Sequence, residues 1–285
     1  MRGINASEAT PVRSRRNKRE LEDNPPEPRG GMLANAMASV RRPAVAGTFY
    51  PDDPDELSAL VSRLLDSAPP QKPAKAIVAP HAGYVYSGPI AATAFRCLPS
   101  GVRRVILLGP SHFALLRGVA APRASAFQTP LGRVELDVPD ELPRNDAPHA
   151  REHSLEVEVP FLQTALGEFR LVPLAVGDAE PAEVADVLAG LWDGPETAIV
   201  VSSDLSHYLP YGEARRMDGE TARRIEQLVP VAPGAACGAA PLNGLLFEAA
   251  RRGMRCERLD LRNSGDTAGD RSRVVGYGAF ALREA

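Results

Sequence analysis

Three of the five histidines in this 285-residue chain stand just beyond short apolar runs: AIVAP before His81, VILLGP before Ser111 and His112, and AIVVSS before Asp204, Ser206 and His207. Imidazole ligates transition metals in its neutral form and exchanges a proton near neutral pH. A lone histidine after a strand is usually a hydrogen-bonded loop residue. Three in equivalent positions describe a site, and the motifs PHAGY, PSH and SSDLSH are read as converging on one metal-binding pocket. Tyr84, in the first motif, and Ser111, in the second, are taken as lining it.

Further candidates are less decided. His153 lies in REHSLEVEVP, where Glu152 and Ser154 read equally well as capping groups at a helix start. His149, in DAPHA, reads as a surface loop residue. Cys237, in AACGAAP, sits at a turn leading into a helix. A buried structural thiol is the usual fate of a lone cysteine, yet a helix N-terminus lowers a thiol's pKa and favours metal binding. Cys97 and Cys256 read as core. No dinucleotide or phosphate-loop pattern, GxSxG elbow or HExxH is present. The stretch NSGDTAGDRSR (263–273) reads as a turn near enough to a strand to line the pocket.

The runs that carry these motifs, at 76–80, 105–110, 170–176 and 198–203, are near-continuous Val, Ile and Leu. That pattern marks strands buried on both faces. Helical spacing appears between them. One helix runs from about Pro54 to Asp66, capped by Asp52 or Asp53, and one starts at Pro89. Another follows Ser154, with Pro160 as a kink or restart. Three more cover about Ala182–Trp192, Glu213–Leu228 and Leu242–Arg252. Segments 255–261 and 273–282 read as closing strands, and 113–136 as a hairpin on the sheet edge. In open sheets of this kind, ligands bind beyond the carboxyl ends of the strands. The fold class is α/β, a three-layer α/β/α arrangement around a mostly parallel sheet. Residues 1–40, rich in Arg, Glu, Pro and Gly without apolar periodicity, read as a disordered or extended tail, and 41–285 as a single domain.

A net charge of -3 leaves no footprint for nucleic acid and no polybasic membrane anchor. No apolar run nears the roughly 20 residues that span a bilayer, and no apolar stretch follows the basic N-terminus as a secretory signal requires. Three widely spaced cysteines form no disulfide framework and fit a reducing cytosol. The partner is then a small molecule or a peptide, and the location cytoplasmic.

Seven ordered blocks, AGTFYP (46–51), APHAGYVYSG (79–88), LGPSHF (108–113), EHSLEVEVPFL (152–162), VSSDLSHY (201–208), ACGAAP (236–241) and SGDTAGDRSRVVGYGAF (264–280), resemble the Memo family. The resemblance covers the chain from about Arg42 onward. It implies membership of the AmmeMemoRadiSam group, with radical SAM and AMMECR-type proteins as partners, and a fold related to class III extradiol dioxygenases. Position by position it makes His81, His112 and Cys237 metal ligands and His207 the acid/base residue. Asp204 becomes the partner of His207, and His153 a flanking pocket residue. The dioxygenases carry glutamate where this chain has Cys237. Thiolate is the softer ligand, which tilts the site toward copper or zinc or alters the reactivity of iron, and puts ring cleavage in question. The expectation is iron- or copper-dependent redox chemistry on an unidentified substrate. A non-enzymatic binding protein and a zinc-assisted hydrolase are the alternatives.

Overall fold

The structure is a computed structural model, and residues 39–284 are described. The tail read over residues 1–40 therefore lies almost wholly outside them. The N-terminal half of the described chain runs β1 (Val40–Arg41), α1 (Pro54–Ser67), β2 (Ala76–Ala79), α2 (Tyr84–Phe95), β3 (Arg104–Pro110), β4 (Val119–Ala120), β5 (Ala126–Thr129) and β6 (Gly132–Glu135). Next come α3 (Ala147–Ala150), α4 (Val159–Leu166), β7 (Arg170–Val176), α5 (Pro181–Leu191), β8 (Thr197–Ser202) and β9 (His207–Leu209). The chain closes with α6 (Tyr211–Glu226), α7 (Ala239–Arg251), β10 (Arg255–Asn263), α8 (Ser264–Thr267) and β11 (Val274–Arg283).

The four apolar runs are the centre of the larger sheet. Its order is β10-β11-β2-β8-β3-β7-β4, with β9 pairing alongside β11. Strands β2, β8, β3 and β7 are mutually parallel, whereas β11 on one flank and β4 on the other run antiparallel to them, and β10 pairs antiparallel with β11. The sheet is thus mixed, where the sequence suggested mostly parallel. Between β10 and β11 lies only the short α8 region, too little chain for the crossover that parallel neighbours need.

Alternate residues of the central strands enter two separate cores. Ile77, Val105, Leu107 and Val200 pack with Leu57, Ile90 and Phe161 of α1, α2 and α4. Val78, Ile106, Leu108 and Val201 pack with Val184, Leu188, Ile225 and Leu242 of α5, α6 and α7. A strand buried on both faces needs apolar residues at every position, which is why these runs do not alternate.

Helix α1 begins as its sequence indicates: the Asp53 carboxylate accepts the backbone N–H groups of Asp55 and Glu56 at 3.0 and 2.9 Å. Elsewhere proline misleads. Pro89 lies inside α2, which starts earlier at Tyr84. The N–H that proline lacks would have bonded the carbonyl of Val85, an exposed residue in the first turn, so water can serve that carbonyl. Ser154 opens a run of turns and α4 starts only at Val159, with Pro160 in its first turn. The segment 113–136 contains two separate features. β4 pairs with β7 at the sheet edge, while the β5–β6 hairpin joins β1 in a second, three-stranded sheet. Phe127 and Val134 of that hairpin are buried in the first core, and just past β6 Leu136 bridges to Leu171 of β7.

Candidate metal centre

Three of the central strands deliver side chains to one end of the sheet. His81 follows β2 after a single proline and is 1% exposed. Its backbone N–H donates to Asp204 Oδ1 at 2.9 Å, and its ring Nδ1 lies 2.7 Å from Ser202 Oγ at the end of β8. His112 follows β3. Its ring Nδ1 lies 2.9 Å from Glu152 Oε1 and its backbone N–H donates to Glu152 Oε2 at 2.6 Å. In both rings the Nδ1 atom is engaged, which leaves Nε2 for a metal.

Cys237 comes from the turn before α7. Gly238 makes that approach feasible, because a Cβ there would lie 2.7 Å from Ser203 Cβ and 2.8 Å from Ser202 O. The Gly238 N–H donates to Ser203 Oγ, and the Asp204 N–H points to Cys237 Sγ at 3.3 Å. Sγ stands 3.2 Å from His81 Nε2. One ligand atom each from His81, His112 and Cys237 lie within 4.8 Å of one another, a spacing that one metal ion can bridge. Two imidazoles and a thiol suit iron, copper or zinc better than calcium or magnesium, which prefer oxygen.

The electrostatics favour a neutral His81 and a protonated Cys237 thiol. Burial pushes the Cys237 thiol up to about 12, with the Asp204 charge adding to it. Burial also pulls His81 well below its ordinary value, helped by the neighbouring His153 and His112. Glu152 goes the other way. Burial would raise it, but hydrogen bonds from His112 and Ser154 outweigh that and hold it at about 2.

Beside this cluster opens a cavity of about 520 Å³, lined among others by Phe49, Tyr86, His153, Asp204, His207 and Arg273. His153 joins it to the metal cluster: its ring stacks on His112 at 4.7 Å and meets His81 edge-on at 5.3 Å. Burial lowers His153 to about 4. His207 donates from Nδ1 to its neighbour Leu205 O at 2.8 Å, so its Nε2 carries the lone pair, and burial holds its pKa below the usual value. The 263–273 turn lines the cavity through Ser264, Ala268, Gly269, Asp270 and Arg273. Tyr208 lies opposite at a left-handed φ of 58°, its ring 5.2 Å from the Arg273 guanidinium.

Several residues take other positions than the sequence suggested. The Asp204 carboxylate faces the backbone N–H groups of His81 and Ala82, and among the described residues the His207 ring bonds Leu205 O rather than Asp204. Burial raises Asp204 to about 7, those N–H groups opposing it. Tyr84 points into the core, donating to Val157 O at 2.6 Å, and it is Tyr86 that reaches the cavity. Ser111 closes a local turn on Ala114 O. His149 lies in the short helix α3, not in a surface loop, and is 2% exposed: its carbonyl accepts from Arg41 Nε of β1 and its Nε2 lies 2.9 Å from Ala120 O of β4. Glu152 and Ser154 are no helix caps: Glu152 holds His112 and Ser154 bonds Pro110 O. The acids of EHSLEVE were the missed signal. Glu152, Glu156 and Glu158 are each 1% exposed or less, and carboxylates set in an apolar run must be paired when buried.

Comparison with known proteins places the chain in a family. The Memo family, described as Memo-like protein, matches residues 41–281. A MEMO1 family protein of Methanopyrus kandleri is 35% identical over 283 residues, covering 85% of this chain and 99% of the relative. One from Aquifex aeolicus is 37% identical over 264 residues, covering 84% and 97%. Another, from Archaeoglobus fulgidus, is 35% identical over 271 residues, covering 86% and 100%.

Proposed function

The chain belongs to the Memo family, and from that footing we propose that it is a metal-dependent redox protein. It holds iron or copper, with zinc the third candidate, at His81, His112 and Cys237. The observation that carries this reading is the meeting of one ring nitrogen each from His81 and His112 with Cys237 Sγ, all within 4.8 Å, beside a cavity large enough for a small molecule. A bound iron or copper would supply one-electron chemistry and polarise a ligand in the open positions.

The chain's own residues supply the rest. His207, neutral and with a free Nε2 in the cavity wall, accepts a proton from a bound substrate and returns it later. His153 and Phe49, whose rings lie 4.8 Å apart, wall off the side toward His81 and His112. Tyr86, Tyr208 and Tyr277 give flat apolar surface, and Arg273 a cation. That combination suits a flat small molecule bearing a carboxylate or phosphate. In this reading the sheet and its two helix-bearing cores form the three-layer α/β/α fold of class III extradiol dioxygenases. Cys237 in place of their carboxylate argues for a different reaction.

Elemental analysis of protein purified anaerobically under reducing conditions tests the centre. One iron or copper per chain is expected, lost in His81→Ala and Cys237→Ala. Variants that keep as much metal as the parent would overturn the assignment.

A second reading, a non-enzymatic protein that binds a peptide in the same cavity, draws on the exposed Tyr86 and Tyr208 that line it. Turnover that depends on His207 would exclude it. Radical SAM and AMMECR-type proteins are proposed partners on family grounds, testable by co-purification. Among the described residues no helix is long and apolar enough to cross a membrane, and the three cysteines are unpaired. A cytoplasmic location is proposed with this.

A further inference from the structure

We propose that Glu158 is a neutral carboxylic acid and a positioning residue, which through Ser202 fixes the nitrogen that His81 offers to a metal. The observation is at Ser202 Oγ, which has three partners: His81 Nδ1, Ser154 O and Glu158 Oε1, each at 2.7 Å. A hydroxyl carries one proton and two lone pairs. The Ser154 carbonyl can only accept, so the single Ser202 proton goes there. The two remaining contacts must then donate to Ser202. His81 does so from Nδ1–H, and Glu158 can do so only if Oε1 carries a proton.

Independent features agree with this proton count. Glu158 is 0% exposed, and among the described residues no cation is paired with it. Its other oxygen, Oε2, is buried without a hydrogen-bond partner among the described residues. A bare carbonyl oxygen of a neutral acid is a modest cost, whereas a bare carboxylate oxygen is a large one. The titratable groups facing Glu158 are Asp204 and Tyr84, neither of which can supply positive charge. Burial pushes the Glu158 carboxyl well above its ordinary range, and Asp204 reinforces it.

With both lone pairs of Ser202 occupied, the Nδ1–H tautomer of His81 is locked and Nε2 faces Cys237 Sγ. A neutral Glu158 adds no negative charge behind a centre in which Cys237 would bind a metal as thiolate. The effect on metal binding rests on His81 being a ligand; the hydrogen-bond chain itself does not.

Two measurements on metal-free protein test the chain directly. Infrared difference spectra between the parent and Glu158→Gln should show loss of a protonated-carboxyl stretch at neutral pH. Nitrogen-15 NMR of histidine-labelled protein should show His81 as the Nδ1–H tautomer in the parent and in Glu158→Gln, whose amide still donates. Glu158→Ala and Ser202→Ala should give mixed tautomers and, by metal titration, an affinity lower by about 10- to 100-fold. An ionised carboxylate signal for Glu158, or an Nε2–H tautomer of His81 in the parent, would overturn the proposal. If Glu158→Ala fails to fold, the parent, Glu158→Gln and Ser202→Ala still decide. A protein with the expected tautomer that takes up no metal would leave the chain standing and refute only the metal reading.

Discussion

Glu152 grips His112 at two points, taking its ring Nδ1–H on one carboxylate oxygen at 2.9 Å and its backbone N–H on the other at 2.6 Å. The ring is therefore fixed both in tautomer and in direction before any metal arrives. Glu152→Gln keeps the size but replaces one acceptor with a donor facing another donor. A fall of about 10- to 100-fold in metal affinity is expected, since orienting partners of ligating histidines carry effects of that size. Titration with iron(II) or zinc against a competing chelator measures it. An affinity equal to the parent's would show that His112 needs no such support.

Metal uptake should release a proton from Cys237. The thiol, held at about 12 without metal, is protonated throughout the neutral range, whereas burial keeps His81 neutral there. Binding as thiolate then displaces one proton, so the apparent affinity should rise about tenfold per pH unit near neutrality. Calorimetry in buffers of different ionisation enthalpy counts that proton. Cys237→Ser should weaken binding of the softer ions most.

The sequence disclosed this centre unevenly. Both candidate histidine ligands are visible because unbroken Val, Ile and Leu runs mark where β2 and β3 end. Cys237 is not, since a turn before a helix gives a thiol no direction; only the family resemblance selects it. Glu152 looked like a capping group because its true partner, His112, is forty residues away in sequence. The Pro89 and Ser154 helix starts failed for a shared reason. Local preference names residues that tolerate a helix start, and packing in the first core decides where the start falls. DAPHA reads as a surface loop around His149, and a loop-like composition says nothing about the strands that cover it.

That buried His149 should make the fold sensitive to acid. Its pKa falls from 6.5 unfolded to about 4 folded, chiefly through burial, so the unfolded chain binds more protons between those values. The stability it contributes is complete above about pH 6.5 and is lost as pH falls toward 4. The shift corresponds to a loss on the order of 3 kcal/mol. Denaturant titrations of metal-free protein at pH 7 and pH 4.5 should show the decline, and His149→Asn should flatten it. An unchanged slope in that variant would assign the acid sensitivity to other groups.

Arg273 and His207 should separate binding from proton transfer. Arg273→Ala removes the cavity's guanidinium and should weaken a carboxylate- or phosphate-bearing ligand by about tenfold or more, the loss of a charge-assisted hydrogen bond. His207→Gln should leave that affinity within a few-fold while lowering any turnover by about 100-fold or more. Ligand screening by thermal shift, followed by assay of the hits, distinguishes the two. Equal loss of affinity in both variants would place His207 in ligand binding instead.

The stretch from Glu152 to Glu158 sets three buried acids against three different parts of the chain. Glu152 meets His112 beyond β3 and Glu158 meets Ser202 at the end of β8. Between them Glu156 meets Arg41 of β1, Tyr50 and the N–H groups of Ala44 and Val45. Such a segment behaves as a ruler with three fixed marks. Inserting or deleting one residue within it would shift at least one acid out of register and strand a charge or its partner in the core. Surface loops absorb changes in length, but here the spacing itself is the constraint, so the centre and the fold around it would be lost together.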